Sequence, residues 1–245
     1  MIRLITYTSG NMDTSAANCV TSALKNGVDE ARRYNPGHIS DEFKRFNAAI
    51  WNNERGAGLW LWKPYICMDA IRDMPDNSYL VYSDAGITFI DSIRHIINRI
   101  DEDIFFFTNT FRQVEWTRRS VMDTILPEWT DGRYNDRMQV QASVITFRVS
   151  KASREFIKRW YLYCQMPELI EPKEKDDTEF PTYSAHREDQ SILCALQIKY
   201  GYKLHWYPST TGYHVKDRTP DDKYPALFNH HRKRDPGKGG GQPEW

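Results

Sequence analysis

Short apolar runs alternate with stretches of helical periodicity along most of this chain, and their order predicts its elements. Ile2 to Thr6 reads as a first strand that opens into a polar loop, Thr8-Ser9-Gly10-Asn11. A helix is predicted from about Ala16 to Arg33, closed by the breaker Asn35-Pro36-Gly37. Asp41 to Asn52 reads as a second helix with Phe43, Phe46 and Ile50 on one face. Pro64 suits the first turn of a third, striped by Ile66, Ala70, Ile71 and Met74. After the turn signal Pro75-Asp76-Asn77, the run Tyr79-Leu80-Val81-Tyr82 reads as a buried parallel strand. Ile90, Ile93, Ile97 and Ile100 mark an amphipathic helix, and Ile104-Phe105-Phe106-Phe107 a further buried strand. Met138 to Val149 is the next strand, and Ser150 caps a helix running through Cys164.

Residues 166–183 are polar and broken by Pro167, Pro172 and Pro181, which reads as a mobile surface loop or lid. A helix from about Glu188 to Tyr200 and a strand around Lys203 to Tyr207 complete the pattern. Strands alternating with helices over this length predict an α/β fold with a mostly parallel sheet.

Composition narrows the function classes. A chain of 245 residues suffices for one large domain with its own core, read here as residues 1–235. The remaining residues 236–245, rich in glycine, read as a disordered tail. The 33 basic and 33 acidic residues cancel, so no global field favours nucleic acid as a partner. Basic residues gather only locally, in Arg118-Arg119 and Arg232-Lys233-Arg234. Cys19, Cys67, Cys164 and Cys194 show neither zinc-ligand nor disulfide-framework spacing. No apolar run approaches the length of a membrane span, and Met1-Ile2-Arg3-Leu4-Ile5 reads as a strand rather than a signal peptide. A reduced, cytoplasmic setting is the expectation. Trp116, Trp129 and Trp206 lie in otherwise polar segments, where flat aromatic faces suit either sugar rings or ordinary packing.

The chemistry concentrates at Tyr82-Ser83-Asp84-Ala85-Gly86, where a predicted parallel strand delivers an aspartate and then a glycine into a loop. Ligands of open α/β sheets bind outside the carboxyl ends of the strands. A carboxylate there can hold a hard cation that bridges two phosphates, and the glycine admits close backbone approach. The plainer reading is a strand-end aspartate turning onto its own backbone.

Four more segments accompany this one: Arg55-Gly56-Ala57-Gly58-Leu59-Trp60-Leu61-Trp62-Lys63-Pro64, Gln141-Ala142-Ser143, His186-Arg187-Glu188-Asp189-Gln190, and Asn229-His230-His231-Arg232-Lys233-Arg234. In this order and spacing the chain resembles the GT-A class of nucleotide-sugar glycosyltransferases, in particular small bacterial and large-virus (chlorovirus-type) enzymes that build surface polysaccharides. The resemblance implies a single Rossmann-like domain with a twisted, mostly parallel central sheet flanked by helices. It implies transfer of a hexose-type sugar from a nucleoside diphosphate, UDP favoured and GDP possible, to a hydroxyl of a growing glycan. Many GT-A enzymes carry a second aspartate where this chain has Gly86, so the resemblance places Mn²⁺ or Mg²⁺ on Asp84 with His231 as the second ligand.

For the donor, the resemblance assigns Thr6, Tyr7 and Thr8 to the base and ribose, and Arg55 and Lys63 to the nucleotide or its phosphates. Ser83, Asp84, Ala85 and Gly86 line the phosphate site, Gln141, Ala142 and Ser143 pack beneath the donor sugar, and Arg232 neutralises the diphosphate. Asp189 takes the catalytic carboxylate position, with Glu188 competing for it. A bland alternative for both is an acidic first turn favoured by the helix dipole. Two rival functions stay open: a catalytically silent glycan-binding protein on the same fold, and a sugar nucleotidyltransferase. The second would carry a basic glycine-rich loop after strand one, and Thr8-Ser9-Gly10-Asn11 has no basic residue. The sugar, the acceptor, the stereochemical course and the oligomeric state are not legible.

Overall fold

The computed structural model describes residues 1–99, 101–128, 132, 134–211, 224–231 and 233–235. Among these, the strands are β1 (Ile2–Tyr7), β2 (Glu30–Tyr34), β3 (Tyr79–Ser83), β4 (Ile87–Phe89), β5 (Ile104–Arg112), β6 (Met138–Arg148), β7 (Leu204–His205) and β8 (Phe228–His230). Six of them form the central sheet in the order β2-β1-β3-β6-β5-β7, and β4 pairs with β8 in a small second sheet. β1 runs parallel to β2 and β3, and β5 parallel to β7, while β6 is antiparallel to both of its neighbours. Only β6 is reversed, so the carboxyl ends of the other five strands share one edge. That edge holds Tyr7, Ser83 and Arg112, with the start of β6 beside them.

The helices are α1 (Asp13–Lys25), α2 (Asp41–Phe46), α3 (Ala48–Trp51), the short turn α4 (Gly56–Leu59), α5 (Trp62–Ile71), α6 (Arg94–Ile97), α7 (Arg119–Ile125), α8 (Lys151–Cys164), α9 (Pro167–Ile170) and α10 (Glu188–Tyr200). Side chains alternate across the sheet, so each strand feeds two cores. Ile5, Tyr7, Leu80 and Tyr82 pack with Ile66, Trp160 and Leu193 against α5, α8 and α10. Leu4, Val81 and Phe107 pack with Cys19, Phe89 and Phe228 against α1 and the small sheet. Ser150 caps α8 as the sequence predicts, its hydroxyl accepting the Ser153 amide at 3.2 Å. No helix among the described residues is long and apolar enough to cross a membrane.

Several expectations are corrected. The helix predicted over 16–33 ends at Lys25, and Glu30–Tyr34 is instead the edge strand β2. Gly27, at φ +93°, leaves the helical region, and the chain then pairs with β1. The helix predicted over 41–52 divides at Asn47, whose side chain bonds back to the Phe43 carbonyl and across to Gln165, and Phe46 is 83% exposed. The helix expected through Ile90, Ile93 and Ile97 shrinks to α6, because β4 occupies the stretch before Ile90; Ile100 lies outside the described residues. β5 extends to Arg112, well past Phe107. The 166–183 segment carries its own helix, α9, and buries Leu169, Ile170, Phe180 and Tyr183 in the core, so it is anchored rather than a free surface loop. The tail expected to be disordered, and Trp129, lie outside the described residues.

Gly56, Ala57, Gly58, Leu59 and Trp60 have φ of +60°, +51°, +93°, +52° and +58°, so α4 is a left-handed turn. It closes through Leu59 N to Arg55 O at 2.8 Å and Gly58 N to Asn53 O at 2.8 Å. The Trp62 indole adds a bond to Gly56 O at 2.9 Å. Each non-glycine residue in this conformation costs roughly 1–2 kcal/mol. A Cβ on Gly56 would stand 2.3 Å from the Trp60 ring, and one on Gly58 3.1 Å from the Trp51 carbonyl oxygen. Gly58→Ala is therefore expected to destabilise the protein by about 1–3 kcal/mol. Ala57→Gly should leave stability unchanged or raise it. Chemical denaturation of the two variants beside wild type checks both signs.

Candidate active site

β3 brings three successive functional groups to the sheet edge. Tyr82 and Asp84 lie two residues apart, and the Tyr82 hydroxyl donates to Asp84 Oδ1 at 2.5 Å. The Asp84 amide donates to the Ser143 carbonyl at 2.8 Å, which fixes the loop after β3 against β6. Asp84 keeps a carboxylate 35% exposed at this edge.

Lys63, from α5, enters the same site from below the sheet. Its side chain is only 5% exposed, and its Nζ lies 3.1 Å from Asp189 Oδ2 and 3.8 Å from Asp84 Oδ1. Nζ also donates to the Ala142 carbonyl at 3.4 Å. Burial pulls the lysine pKa down, but Asp189 and then Asp84 outweigh it, and the ammonium form is held above its usual range. Burial pushes the Asp189 carboxyl up to about 7, against the pull of Lys63. Lys63 is the partner of the buried Oδ2 of Asp189, at 3.1 Å.

The first turn of α10 holds both predicted carboxylates. Glu188 is 3% exposed and accepts from Arg55 Nε at 2.6 Å, so its carboxylate is occupied; burial raises its pKa and Arg55 opposes the rise. The carbonyl of Asp189 accepts from the Trp160 indole at 3.1 Å. The Gln190 amide bridges to β6, accepting from Ala142 N at 3.3 Å and donating to Gln139 Oε1 at 3.0 Å. His186 is buried and driven down to about 3 by that burial and the Arg118 charge, so it stays neutral.

The other residues expected at the donor site divide. Thr6, Tyr7 and Thr8 end β1 at the right edge, but their side chains are buried. The Tyr7 ring stacks on Trp62 at 3.9 Å, leaving no open face for a base. Gln141 donates to Ser143 at 2.8 Å, Ser143 to Tyr207 at 3.4 Å, and the Tyr207 hydroxyl lies 3.3 Å from His230 Nδ1. Ser143 links this polar chain to the loop of Ser83, Asp84, Ala85 and Gly86 through its carbonyl, which accepts the Asp84 amide. Ser83 and Ala85 are themselves buried. The sequence did not single out Tyr82, Gln139 or Tyr207 for roles here. For Tyr82 a signal existed, since residues two apart on a strand share a face.

His231 is tied to the same loop through its amide, which donates to Gly86 O at 2.9 Å. Arg232 lies outside the described residues. Among the described residues no group of three or more His, Cys, Asp or Glu side chains gathers to hold a metal. Asp84 carries an exposed carboxylate, and the His231 backbone is tied to its loop at Gly86; a Mg²⁺-like ion held there would take most of its ligands from substrate phosphates and water. Burial lowers the His231 pKa and favours the neutral ring a ligand must be. Its Nδ1 accepts from Lys233 N at 3.0 Å, which leaves the proton on Nε2, so His231 can ligate a metal only by giving up that bond.

The six-stranded sheet with one reversed strand and the small sheet beside it is an α/β fold of the kind solved for glycosyltransferases. Among solved structures, the chain is similar to the galactosyltransferase LgtC in complex with donor and acceptor sugar analogues, with a TM-score of 0.52 and 16% identity over 95% of this chain and 87% of that one. It is also similar to the apo form of mouse xyloside xylosyltransferase 1, with a TM-score of 0.51 and 10% identity over 94% of this chain and 97% of that one. No family model matches the sequence, and no curated protein does.

The folded protein keeps a proton on Asp189 up to about pH 7, whereas the unfolded chain releases it near 3.8. Stability contributed by this group is therefore full at low pH and is lost as pH rises across that window. The unfolding free energy of Asp189→Asn relative to wild type should move in the variant's favour between about pH 4 and about pH 7. Urea unfolding at stepped pH checks it, and a constant difference would mean that Lys63 keeps Asp189 ionised throughout.

Proposed function

We propose that this protein is a glycosyltransferase that moves a hexose from a nucleoside diphosphate, UDP before GDP, to a hydroxyl of a growing glycan. Residues 1–235 make up its transferase domain. The observation that carries this reading is the buried Lys63 ammonium set between Asp84 and Asp189 at the carboxyl edge of a GT-A sheet. LgtC, on the same fold, has been crystallised with donor and acceptor sugar analogues, which supports a cleft for two substrates here.

Transfer leaves negative charge on the departing diphosphate and requires a proton to leave the acceptor hydroxyl. The exposed side of Asp84, with His231, would hold Mn²⁺ or Mg²⁺ against the diphosphate, and that ion supplies charge neutralisation as the bond to the sugar breaks. Lys63 adds a fixed positive charge at the same place without reorganisation. Asp189 receives the acceptor proton. A carboxyl that titrates near neutrality is matched to that task. Glu188 is tied to Arg55, so Asp189 takes the reacting role of the two.

The test is a thermal-shift series with UDP, GDP, CDP and dTDP and their sugars, with and without Mn²⁺, on wild type and Asp84→Ala. A ligand at a hundred times its Kd adds about 2.7 kcal/mol to the native state, a rise of several degrees. One nucleotide series should raise Tm with Mn²⁺ present, and Asp84→Ala should lose the rise. Folded protein that responds to no nucleotide would sink the transferase reading in favour of the glycan-binding one.

A further inference from the structure

The geometry points to Arg55 as a positioning residue that holds the Asp189 carboxylate in place through Glu188. This rests on the transferase reading of Asp189 and extends it to a residue assigned to the donor by sequence resemblance.

Glu188 and Asp189 are consecutive, and both are buried at the start of α10. Two adjacent buried carboxyls are held ionised only as far as a cation faces each, since burial raises both. Both cations come from residues 55–63: Arg55 Nε lies 2.6 Å from Glu188 Oε1, and Lys63 Nζ lies 3.1 Å from Asp189 Oδ2. The left-handed turn of residues 56–60 separates the two cations, so its shape sets how far apart they stand. The Trp62 indole bond to Gly56 O and the stacking of Trp62 on Tyr7 fasten that turn to β1.

Glu188 is itself left-handed, at φ +41°, in the first position of α10. A non-glycine residue holds that conformation only when its surroundings impose it. The Arg55 contact is one part of those surroundings. The guanidinium is half exposed, with the Trp60 ring on one side at 5.5 Å. Its Nε is committed to Glu188, which is the geometry of a brace rather than of a phosphate clamp. When the brace is removed, the carboxylate of Glu188 loses its partner, the first turn of α10 relaxes from its left-handed start, and Asp189 moves off Lys63. The other ties of that turn, among them Gln190 to Ala142 and Gln139, the Trp160 indole to the Asp189 carbonyl, and Ser191 Oγ to Arg187 N and the Trp116 carbonyl, do not touch the Glu188 carboxylate.

The experiment compares wild type with Arg55→Ala, Arg55→Lys, Glu188→Gln and the double variant Arg55→Ala/Glu188→Gln. Donor turnover is followed by release of the nucleoside diphosphate, its binding by calorimetry, and the crystal structure of Arg55→Ala is determined. A carboxylate misplaced by about an ångström costs on the order of a hundredfold in rate. Arg55→Ala should lower kcat on that scale and leave nucleoside diphosphate binding unchanged. Arg55→Lys should recover part of the rate. Glu188→Gln should match Arg55→Ala, and the double variant should add no further loss, as for two residues acting as one unit.

Weakened nucleotide binding at intact kcat would make Arg55 a donor ligand and overturn the inference, as would an unchanged kcat. Wild type that turns over no sugar nucleotide would remove the transferase reading alone. The Arg55→Ala structure then decides by itself: Asp189 displaced from Lys63 upholds the brace, and Asp189 still in contact with Lys63 overturns it.

Discussion

The ammonium of Lys63 lies out of water between Asp84 and Asp189, and the arrangement of the surrounding side chains follows from it. Taking an ammonium out of water costs several kcal/mol even after relaxation, and only close opposite charge offsets that. Two carboxylates and the Ala142 carbonyl meet this need, and they come from three different elements. The end of β3, the start of α10 and the middle of β6 are thereby held at fixed distance from α5. The same condition keeps Asp189 near the boundary of ionisation, since its burial and its cation oppose each other.

A second constraint is steric and sits beside the first. The chain reaches Lys63 through five consecutive left-handed residues, and only glycine fits at positions 56 and 58. Left-handed backbone in non-glycine residues is costly, and it collects where function requires a particular geometry. Here the strained turn stands across one ion pair from a strained Glu188. Backbone strain and buried charge therefore coincide within a few residues of Asp189.

Much of the fold was legible because buried elements leave a period in the sequence. β1, β3, β6, α8 and α10 are runs or stripes whose burial demanded apolar side chains, and Ser150 announced the start of α8. Elements without such a demand were missed. β2 lies at the sheet edge with Glu30, Arg32 and Arg33 along it, so hydrophobic pattern is silent there. β4 and β8 are three residues each, too short for any period to show. The 166–183 segment looked polar by count, yet its few apolar residues are the ones that anchor it.

The sequence by itself determined the α/β class, the strand end that carries Asp84, the helix start that carries Glu188 and Asp189, and the glycines of residues 56–58. Each of these is written locally, as an apolar run, a breaker or a residue type at a boundary. Only the tertiary structure decided how those groups pair. Lys63 faces Asp189 rather than solvent, Arg55 is spent on Glu188, and Tyr7 stacks on Trp62 instead of offering a face to a base. Pairings of this kind depend on which elements meet across the sheet and how deeply each charge is buried. Those quantities arise from packing between segments distant in sequence, and no local pattern encodes them.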